Sequence, residues 1–295
     1  MQSVEIFALK AGECGPFVRF TFPAYRHILG SENSKKVALG LRIDQEPAGL
    51  ALASFSVDRP RQAQLLSVMV TGTERRKGAG RRLLEALSEE LARRGCSCVT
   101  GEVTGSEERS LALERLLSAS GWQFSGPTSV LCHAAQSRIL QAPWLADATL
   151  PEAMQIFPWA ELSIQERNEM LERHARESWI PESLSPFWNE DQIAKCSVGM
   201  RYRGRVAGWC VAYPFDLDTL RWWRLFVEKE LQPLARSVPL LAETIRRAPD
   251  YGFHYGLWSV RADNRKMIRL LDRRMRGWLI SAKPVWRVTK ELRQG

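Results

Sequence analysis

The sequence predicts a mixed α/β protein made of two tandem domains. Three observations support this: the chain has 295 residues, strand and helix patterns alternate along it, and the order of elements in its first half recurs in its second. With 45% hydrophobic residues, each half is large enough to bury a core. We expect domains at residues 1–142 and 148–295, each a mostly antiparallel mixed sheet flanked by helices.

The first half begins with a predicted strand, "VEIFAL", followed by a helix over residues 16–29. Further strands are indicated by "KVALGLRI", "AGLALASFSV", "AQLLSVMV" and "CSCVTGEV". Leucines at helical spacing predict a helix from Gly80 to Gly95, and a second helix is expected from Glu107 to Ser120. We expect "GWQFSGPTSVLCHA" to form a closing pair of strands, which completes a mixed α/β domain.

The second half repeats this order. "MQIFPWAEL" is a predicted strand, and Ser163 with Glu166 forms a capping box that opens the next helix. "SVGMRYRGRVAGWCVAYPF" predicts a hairpin, and "TLRWWRLFV" a strand before a helix from about Pro233 to Arg247. The strand "FHYGLWSV", the helix "NRKMIRLLDRRM" and the segment "GWLISAKPVWRVT" follow. We infer a tandem duplication with its boundary near "LQAPWLADATLPEA".

Composition excludes several classes of protein. The first residues lack the pattern of a signal peptide, and no apolar run is long enough to span a membrane, so we expect a cytoplasmic protein. The six cysteines include no CxxC pair and the four histidines are scattered, which predicts buried thiols and no metal. The net charge of +9 favours an anionic partner, but no RNA-binding or zinc-finger signature is present, so nucleic acid is not the expected partner.

Two glycines lie unexpectedly at the start of an amphipathic helix in "VTGTERRKGAGRRLLEAL". Backbone N–H groups at a helix start have no partner inside the helix, and the helix dipole favours an anion there. Small residues would let a diphosphate approach those groups, which a Cβ at Gly78 or Gly80 would obstruct. The alternative is a tight turn with close helix packing.

At these residues the sequence resembles the GNAT family of acyl-CoA-dependent N-acetyltransferases. Their signature is a hydrophobic strand followed by Q/R-x-x-G-x-G/A, and Arg75 to Gly80 matches it without a gap. The resemblance implies acetyl-CoA or another acyl-CoA as cosubstrate, with its pyrophosphate on the loop and its pantetheine arm along the strand. The cofactor-binding residues it implies are Val68, Met69, Val70, Arg75, Arg76, Lys77, Gly78, Ala79, Gly80 and Arg81.

The second copy carries a degraded form of this signature. Its equivalent string is "QPLARS", in which Gln232 is allowed but Ala235 and Ser237 replace the two glycines. We expect that the second domain has lost cofactor binding. The resemblance implies the same arrangement as in other tandem GNAT proteins, such as mycothiol synthase-like enzymes, which keep one competent and one degenerate half.

Acyl transfer to an amine requires a base, and Glu102 is the candidate. It alternates with Cys98, Thr100 and Thr104 on one face of the fifth strand, beside the cleft where the family's substrate enters. A solvated strand carboxylate is the alternative explanation of Glu102. Glu74, just before the motif, is interpreted as a loop charge.

The family often uses a tyrosine four residues before Gly121 to protonate the departing thiolate, and Leu117 occupies that position. Tyr25, Ser106, Ser110 or a water molecule remain alternatives. Slow catalysis would survive the loss of one general acid, which is typically worth about 10² to 10⁴ in rate.

Ten of the 11 tryptophans lie in the second half, where they indicate core packing or an aromatic wall for an acceptor. The function predicted is an N-acyltransferase acting on a small-molecule or peptide amine, as a monomer or homodimer. A non-catalytic acyl-CoA-binding or regulatory protein is the alternative.

Overall fold

A computed structural model describes residues 3–22, 25–32, 35–56, 59, 61–105, 108–146, 150–187, 190–234 and 237–292. The chain forms two compact units. The N-terminal unit comprises residues 1–129 together with 283–295, and the C-terminal unit comprises residues 130–282. The units do not follow the division predicted at 142–148, because each long strand that follows a Gly-Trp pair crosses a unit boundary.

The N-terminal unit contains seven strands and three α-helices among the described residues. In chain order these are β1 (Val4–Ala8), α1 (Arg26–Gly30), β2 (Lys36–Ile43), β3 (Glu46–Phe55), β4 (Gln62–Val70), α2 (Ala79–Arg93), β5 (Cys98–Thr104), α3 (Glu108–Ala119), β6 (Gln123–Ala135) up to residue 129, and β12 (Ser281–Glu291) from residue 283. Short 3₁₀ turns cover residues 11–13, 15–20 and 72–74.

The sheet of this unit has the strand order β1-β2-β3-β4-β5-β12-β6. All of the pairings described by register are antiparallel except that between β4 and β5, which run parallel. α2 and α3 cover one face of the sheet, where Leu83, Leu87 and Leu117 form a core with Val99 and Val103 of β5. The 3₁₀ turn at residues 15–20 covers the other face through Phe17 and Phe20.

Two sequence predictions in this unit are wrong. Residues 16–29 do not form one helix, because Phe22 precedes Pro23 and a residue before proline disfavours the helical conformation. Residues 121–134 do not form a closing pair of strands either, because β6 is one continuous strand. The strand that completes the pair is β12, which lies between β5 and β6 although it comes from the far end of the sequence.

The C-terminal unit contains the end of β6, then α4 (Gln136–Ile139), α5 (Pro143–Ala146), β7 (Met154–Pro158), α6 (Ile164–Glu177), β8 (Val198–Tyr202), β9 (Arg205–Pro214), β10 (Thr219–Val227), α7 (Ser237–Arg247), β11 (Tyr255–Arg261) and α8 (Arg265–Leu270), and the beginning of β12. Short 3₁₀ turns lie at residues 159–161, 182–184, 190–192, 229–234, 248–251 and 276–278, and a π turn at 271–275. The sheet order from β6 is β6-β11-β10-β9-β8-β7.

The predicted repeat is present in the order of these elements. The capping box that opens α6 is confirmed: Ser163 accepts a hydrogen bond from Glu166 N, and the Glu166 carboxylate accepts one from Ser163 N. The β8–β9 hairpin turns at Arg203 and Gly204, both with positive φ. Each unit therefore carries the strand, strand, helix, strand, helix order that the sequence indicates.

Candidate functional site

The N-terminal sheet opens where β4 diverges from β5. Their described register runs from Gln62–Cys98 to Leu65–Gly101, although both strands continue further. A bulge at Leu66 in β4 marks the point of divergence, because Leu52 pairs with Ser67 and Ala53 with Leu65. The backbone edge of β4 from Leu66 to Val70 that faces β5 is therefore available to hydrogen-bond a ligand.

Val68, Met69 and Val70, which were predicted to line the pantetheine arm, lie on this diverging stretch. All three are partly exposed, whereas the last residue of β4 still pairs with Gly49 of β3. A chain of amide groups such as pantetheine could bond to the β4 edge while these apolar side chains contact its methylene groups.

The loop after β4 is closed by two hydrogen bonds. Thr71 N donates to Ala48 O at 2.8 Å, and Arg75 Nε donates to Val70 O at 3.4 Å. The backbone then takes a left-handed conformation at Arg76 (φ 63°) and again at Gly78 (φ 87°), which is the N-cap residue of α2. These turns direct the chain into the helix within a few residues of the strand end.

The start of α2 presents backbone donors. Its first bond runs from Arg82 N to Gly78 O at 3.1 Å, so the N–H groups of Ala79, Gly80 and Arg81 precede the hydrogen-bond ladder. Gly78 provides no side chain that could cap them. The three donors and the helix dipole together form a group that can bind a phosphate.

Glycine is favoured at positions 78 and 80 for different physical reasons. Gly78 is required by its positive φ, and a Cβ there would meet no heavy atom within 4 Å. A Cβ at Gly80 would lie 3.2 Å from Leu116 Cδ2 and 3.7 Å from Val70 Cγ2. Close packing of α2 against α3 therefore explains Gly80, which is the alternative that the sequence left open.

Positive charge surrounds this helix start. Five exposed cationic side chains lie on the loop and the first turn of the helix: Arg75, Arg76, Lys77, Arg81 and Arg82. Lys77 pairs with Glu74 at 3.2 Å and Arg81 with Glu85 at 2.7 Å, so two carboxylates only partly offset the cations. Glu74, interpreted as a loop charge, is engaged in this way with Lys77.

Glu102 lies directly beyond the last described β4–β5 pair, Leu65 with Gly101. Its neighbours Val99 and Val103 face the α2–α3 core, so alternation places Glu102 on the opposite face, where it is exposed. The residue opposite it on β12 is Arg287, also exposed. No local motif marks Arg287 in the sequence, because strand pairing alone brings it to Glu102.

The position of Leu117 is inside the core. Leu117 is fully buried among the residues that α2 and α3 pack against the sheet, and its backbone O accepts from Trp122 N. Tyr25 lies on the other face of the sheet, where it packs, as Leu66 and Met69 of β4 do, against the core cluster that contains Phe17 and Phe20. Ser106 and the side chain of Ser110 fall outside the described part of the chain.

The second copy keeps the same backbone plan. Thr219–Tyr255 begins the parallel register of β10 and β11 as Gln62–Cys98 does in the first copy, and the bulge recurs at Trp223. Gln232 Nε2 donates to Val227 O at 2.8 Å, as Arg75 does to Val70 O. Ala235 lies outside the described residues, and α7 begins at Ser237.

Comparisons with known proteins agree with this geometry. The model of the acetyltransferase (GNAT) family matches residues 8–116, a range that includes β4, the loop, α2 and β5. Residues 8–116 form a domain of the GNAT family. A search of curated proteins finds no match.

Solved structures extend the fold of GNAT proteins to the whole chain. A tandem GNAT protein from the clavulanic acid biosynthesis pathway is similar over 99% of this chain and 100% of its own, with 16% identity and a TM-score of 0.71. A GCN5-related N-acetyltransferase from Sphaerobacter thermophilus is similar over 99% of this chain and 96% of its own, with 16% identity and a TM-score of 0.62. A glucosamine N-acetyltransferase region of a fungal GH3 β-N-acetylglucosaminidase is similar over 98% of this chain and 38% of its own, with 12% identity and a TM-score of 0.62. The chain therefore has the tandem GNAT fold.

Three further observations on the chain concern its thiols, metal binding and membrane-spanning helices. All six cysteines are buried, and burial raises the pKa of Cys132 and of Cys210 to about 12. Within the described ranges, no three His, Cys, Asp or Glu side chains are grouped so that they could hold a metal ion. None of the helices described here is both long and apolar enough to span a membrane.

Proposed function

We propose that the protein is an acyl-CoA-dependent N-acyltransferase whose N-terminal unit binds the cosubstrate, with acetyl-CoA as the expected donor. One observation carries this proposal: the left-handed Gly78 is followed by three backbone N–H groups at the start of α2 that have no partner inside the helix, and five cationic side chains surround them. The pyrophosphate would lie at Arg75 to Arg81, and the pantetheine arm would follow Val68, Met69 and Val70 along the opened edge of β4.

The reaction joins the acceptor nitrogen to the acyl carbon as the C–S bond breaks. Glu102, exposed just beyond the last β4–β5 pair, would take the proton that the amine loses. Coenzyme A leaves as a thiolate of ordinary pKa about 8.5, which takes a proton from water or from Tyr25. Leu117 has no proton to donate, so the proton would not come from the position where the family often places a tyrosine.

The C-terminal unit is proposed to bind no acyl-CoA. Its β10–β11 opening is occupied on the helix side by Trp222 and Trp258, whose rings stack at 4.9 Å and belong to the core beneath α7. The acceptor would be a small-molecule or peptide amine. A cytoplasmic location and a monomeric or homodimeric state stay predictions from the sequence.

Charge reversal in the loop tests this function. Arg76→Glu together with Lys77→Glu should weaken CoA binding about 10-fold or more, because charged hydrogen bonds and close cation–phosphate contacts are lost. Isothermal titration of the full chain with CoA measures the affinity. The wild type should bind one CoA per chain, and its affinity should fall as salt rises.

Lys229→Glu is the matched control, since Lys229 is an exposed cation on the equivalent loop of the C-terminal unit. Equal losses from the two loops would contradict binding in the N-terminal unit alone. Release of free thiol from acetyl-CoA with an amine panel separates an enzyme from the alternative, a non-catalytic acyl-CoA-binding protein. That alternative is favoured if CoA binds but no amine is acylated.

A further inference from the structure

Arg287 lies beside the candidate base, in direct cross-strand register with Glu102. Residues opposite each other in an antiparallel pair point to the same face with Cβ atoms about 4.5 to 5.5 Å apart. Both side chains are exposed, and both belong to the N-terminal unit. The last long strand of the sequence therefore brings a guanidinium next to the position where the amine would lose its proton.

The guanidinium of Arg287 is not used in an ion pair within the described part of the protein, where no carboxylate oxygen lies within 4 Å of it. Three other exposed arginines of this unit are paired with carboxylates: Arg81 with Glu85, and Arg93 and Arg94 with Glu90. Arg287 is held by its strand, since Ser125 Oγ donates to Arg287 O at 3.0 Å. Its planar donors thus remain available to a ligand.

The same face carries aromatic side chains on the β4 side of the opening. Tyr25, like Leu66 and Met69 of β4, packs against the core cluster that contains Phe17 and Phe20. The ring of Tyr25 meets that of Phe22 edge-on at 6.1 Å. The Phe22 side chain is 48% exposed. Ser67 of β4 is anchored to this segment, because its Oγ lies 2.9 Å from Thr21 Oγ. This face therefore offers apolar contact near β4 and opposite charges on β5 and β12.

We propose that the acceptor is an amine that also carries a carboxylate, an amino-acid-type substrate with an apolar side chain, and that Arg287 binds the carboxylate. This inference rests on the proposed acyltransferase function. Glu102 alone would repel an anionic acceptor, and Arg287 supplies the compensating charge one strand away, about 4.8 Å along the sheet. A guanidinium binds a carboxylate through two parallel hydrogen bonds, which also orients the amine toward Glu102.

The test compares three acceptors that differ only in the anionic group. Phenylalanine carries the carboxylate, phenylalaninamide replaces it with a neutral amide, and phenethylamine lacks it. In the wild type, kcat/KM should be about 10-fold or more higher for phenylalanine than for the other two. Arg287→Gln should abolish that preference by lowering kcat/KM for phenylalanine alone, and Arg287→Lys should restore part of it.

Arg93→Gln serves as the control, because Arg93 is an exposed arginine at the far end of α2 from the loop. CoA affinity should stay unchanged in all variants, which shows that they fold. Acylation of the three amines at equal rates, unaffected by Arg287→Gln, would overturn this inference and leave the acyltransferase function in place. A preference for O-phosphoethanolamine over all three would likewise overturn it in favour of a phosphate-bearing amine. Failure to acylate any amine would remove the proposed function and this inference with it.

Discussion

The two strand–loop–helix segments share one backbone and differ in what fills it. In both, the parallel register ends early, a bulge follows, and a side chain five residues beyond the strand bonds to the last strand carbonyl. In the N-terminal unit, Leu65 and Gly101 stand at the divergence, whereas Trp222 and Trp258 stack there in the C-terminal unit. The opening of the sheet is therefore a property of the fold, whereas the side chains that fill it differ between the two units.

The opposite face shows the same contrast. Ser67 follows the first bulge and meets Thr21 through a pair of hydroxyls, while Arg224 follows the second bulge and donates to Tyr213 Oη in a buried pair. The residue after the strand also differs. Thr71 begins the first loop, whereas Glu228 begins the second as a nearly fully buried carboxylate held by two arginines, Arg173 and Arg205. The second loop therefore begins at a buried ion-pair cluster, whereas the first begins at a neutral threonine.

The largest expected effect comes from removing the tryptophan that occupies the second opening. Trp222→Ala should lower the free energy of unfolding of the C-terminal unit by about 3 to 5 kcal/mol, because it empties a buried site and removes a ring stack. Urea denaturation measures this. Leu65→Ala, at the corresponding but only partly buried position, should lower stability by about 2 kcal/mol or less. An unchanged stability in Trp222→Ala, together with a second CoA site, would contradict the proposal that Trp222 and Trp258 fill the opening of the C-terminal unit.

A smaller effect is expected from replacing Glu102, the candidate base, which should change the rate of acyl transfer. With the offset that relates the two registers, Glu102 corresponds to Ser259. Glu102→Gln and Glu102→Ser should each lower the rate of acyl transfer by about 10². CoA affinity should not change.

Ser259→Ala is the control for this prediction and should leave the rate intact. An unaltered rate of acyl transfer in Glu102→Gln would assign the proton to water instead. The proposed cofactor site at Arg75 to Gly80 would be unaffected by that result.

The smallest effect concerns the two glycines. Gly78→Ala should destabilise the protein by about 1 to 2 kcal/mol and weaken CoA binding, because alanine resists the left-handed backbone at φ 87°. Gly80→Ala should have less effect on CoA binding, since its Cβ meets the end of the flexible Leu116 side chain. Thermal unfolding and CoA titration measure both variants. If Gly80→Ala proved the more harmful to CoA affinity, Gly80 would face the phosphates after all.

Local patterns in the sequence were sufficient for most elements. Leucines at helical spacing predicted α2 and the Ser163–Glu166 pair predicted the start of α6, because both signals lie within a few residues. The GNAT signature predicted the loop as a phosphate site, and the fold agrees with the family it indicated. The reason for Gly80 was not predictable, since it depends on Leu116 of another helix.

Long-range pairing lay beyond the sequence patterns. Sequence patterns identified "GWLISAKPVWRVT" only as a closing segment, with no sign that residues 281–291 form a strand that pairs with β5. The predicted closing pair at 121–134 failed for this reason, and Arg287 was overlooked as a neighbour of Glu102. Of the two interpretations of the tryptophans in the second half, core packing applies to Trp159, Trp209, Trp222 and Trp258, which are buried in cores.

The insertion of β12 between β5 and β6 has a consequence for biosynthesis. A ribosome delivers residues 98–135 long before residues 283–291, so the nascent N-terminal sheet has a gap beside the strand that carries Glu102. Until β12 is made, Arg287 is absent and β5 exposes an unpaired edge, the kind of surface on which chaperones and aggregation act. The strand carrying the candidate base therefore gains its β12 neighbour only when translation has passed residue 291.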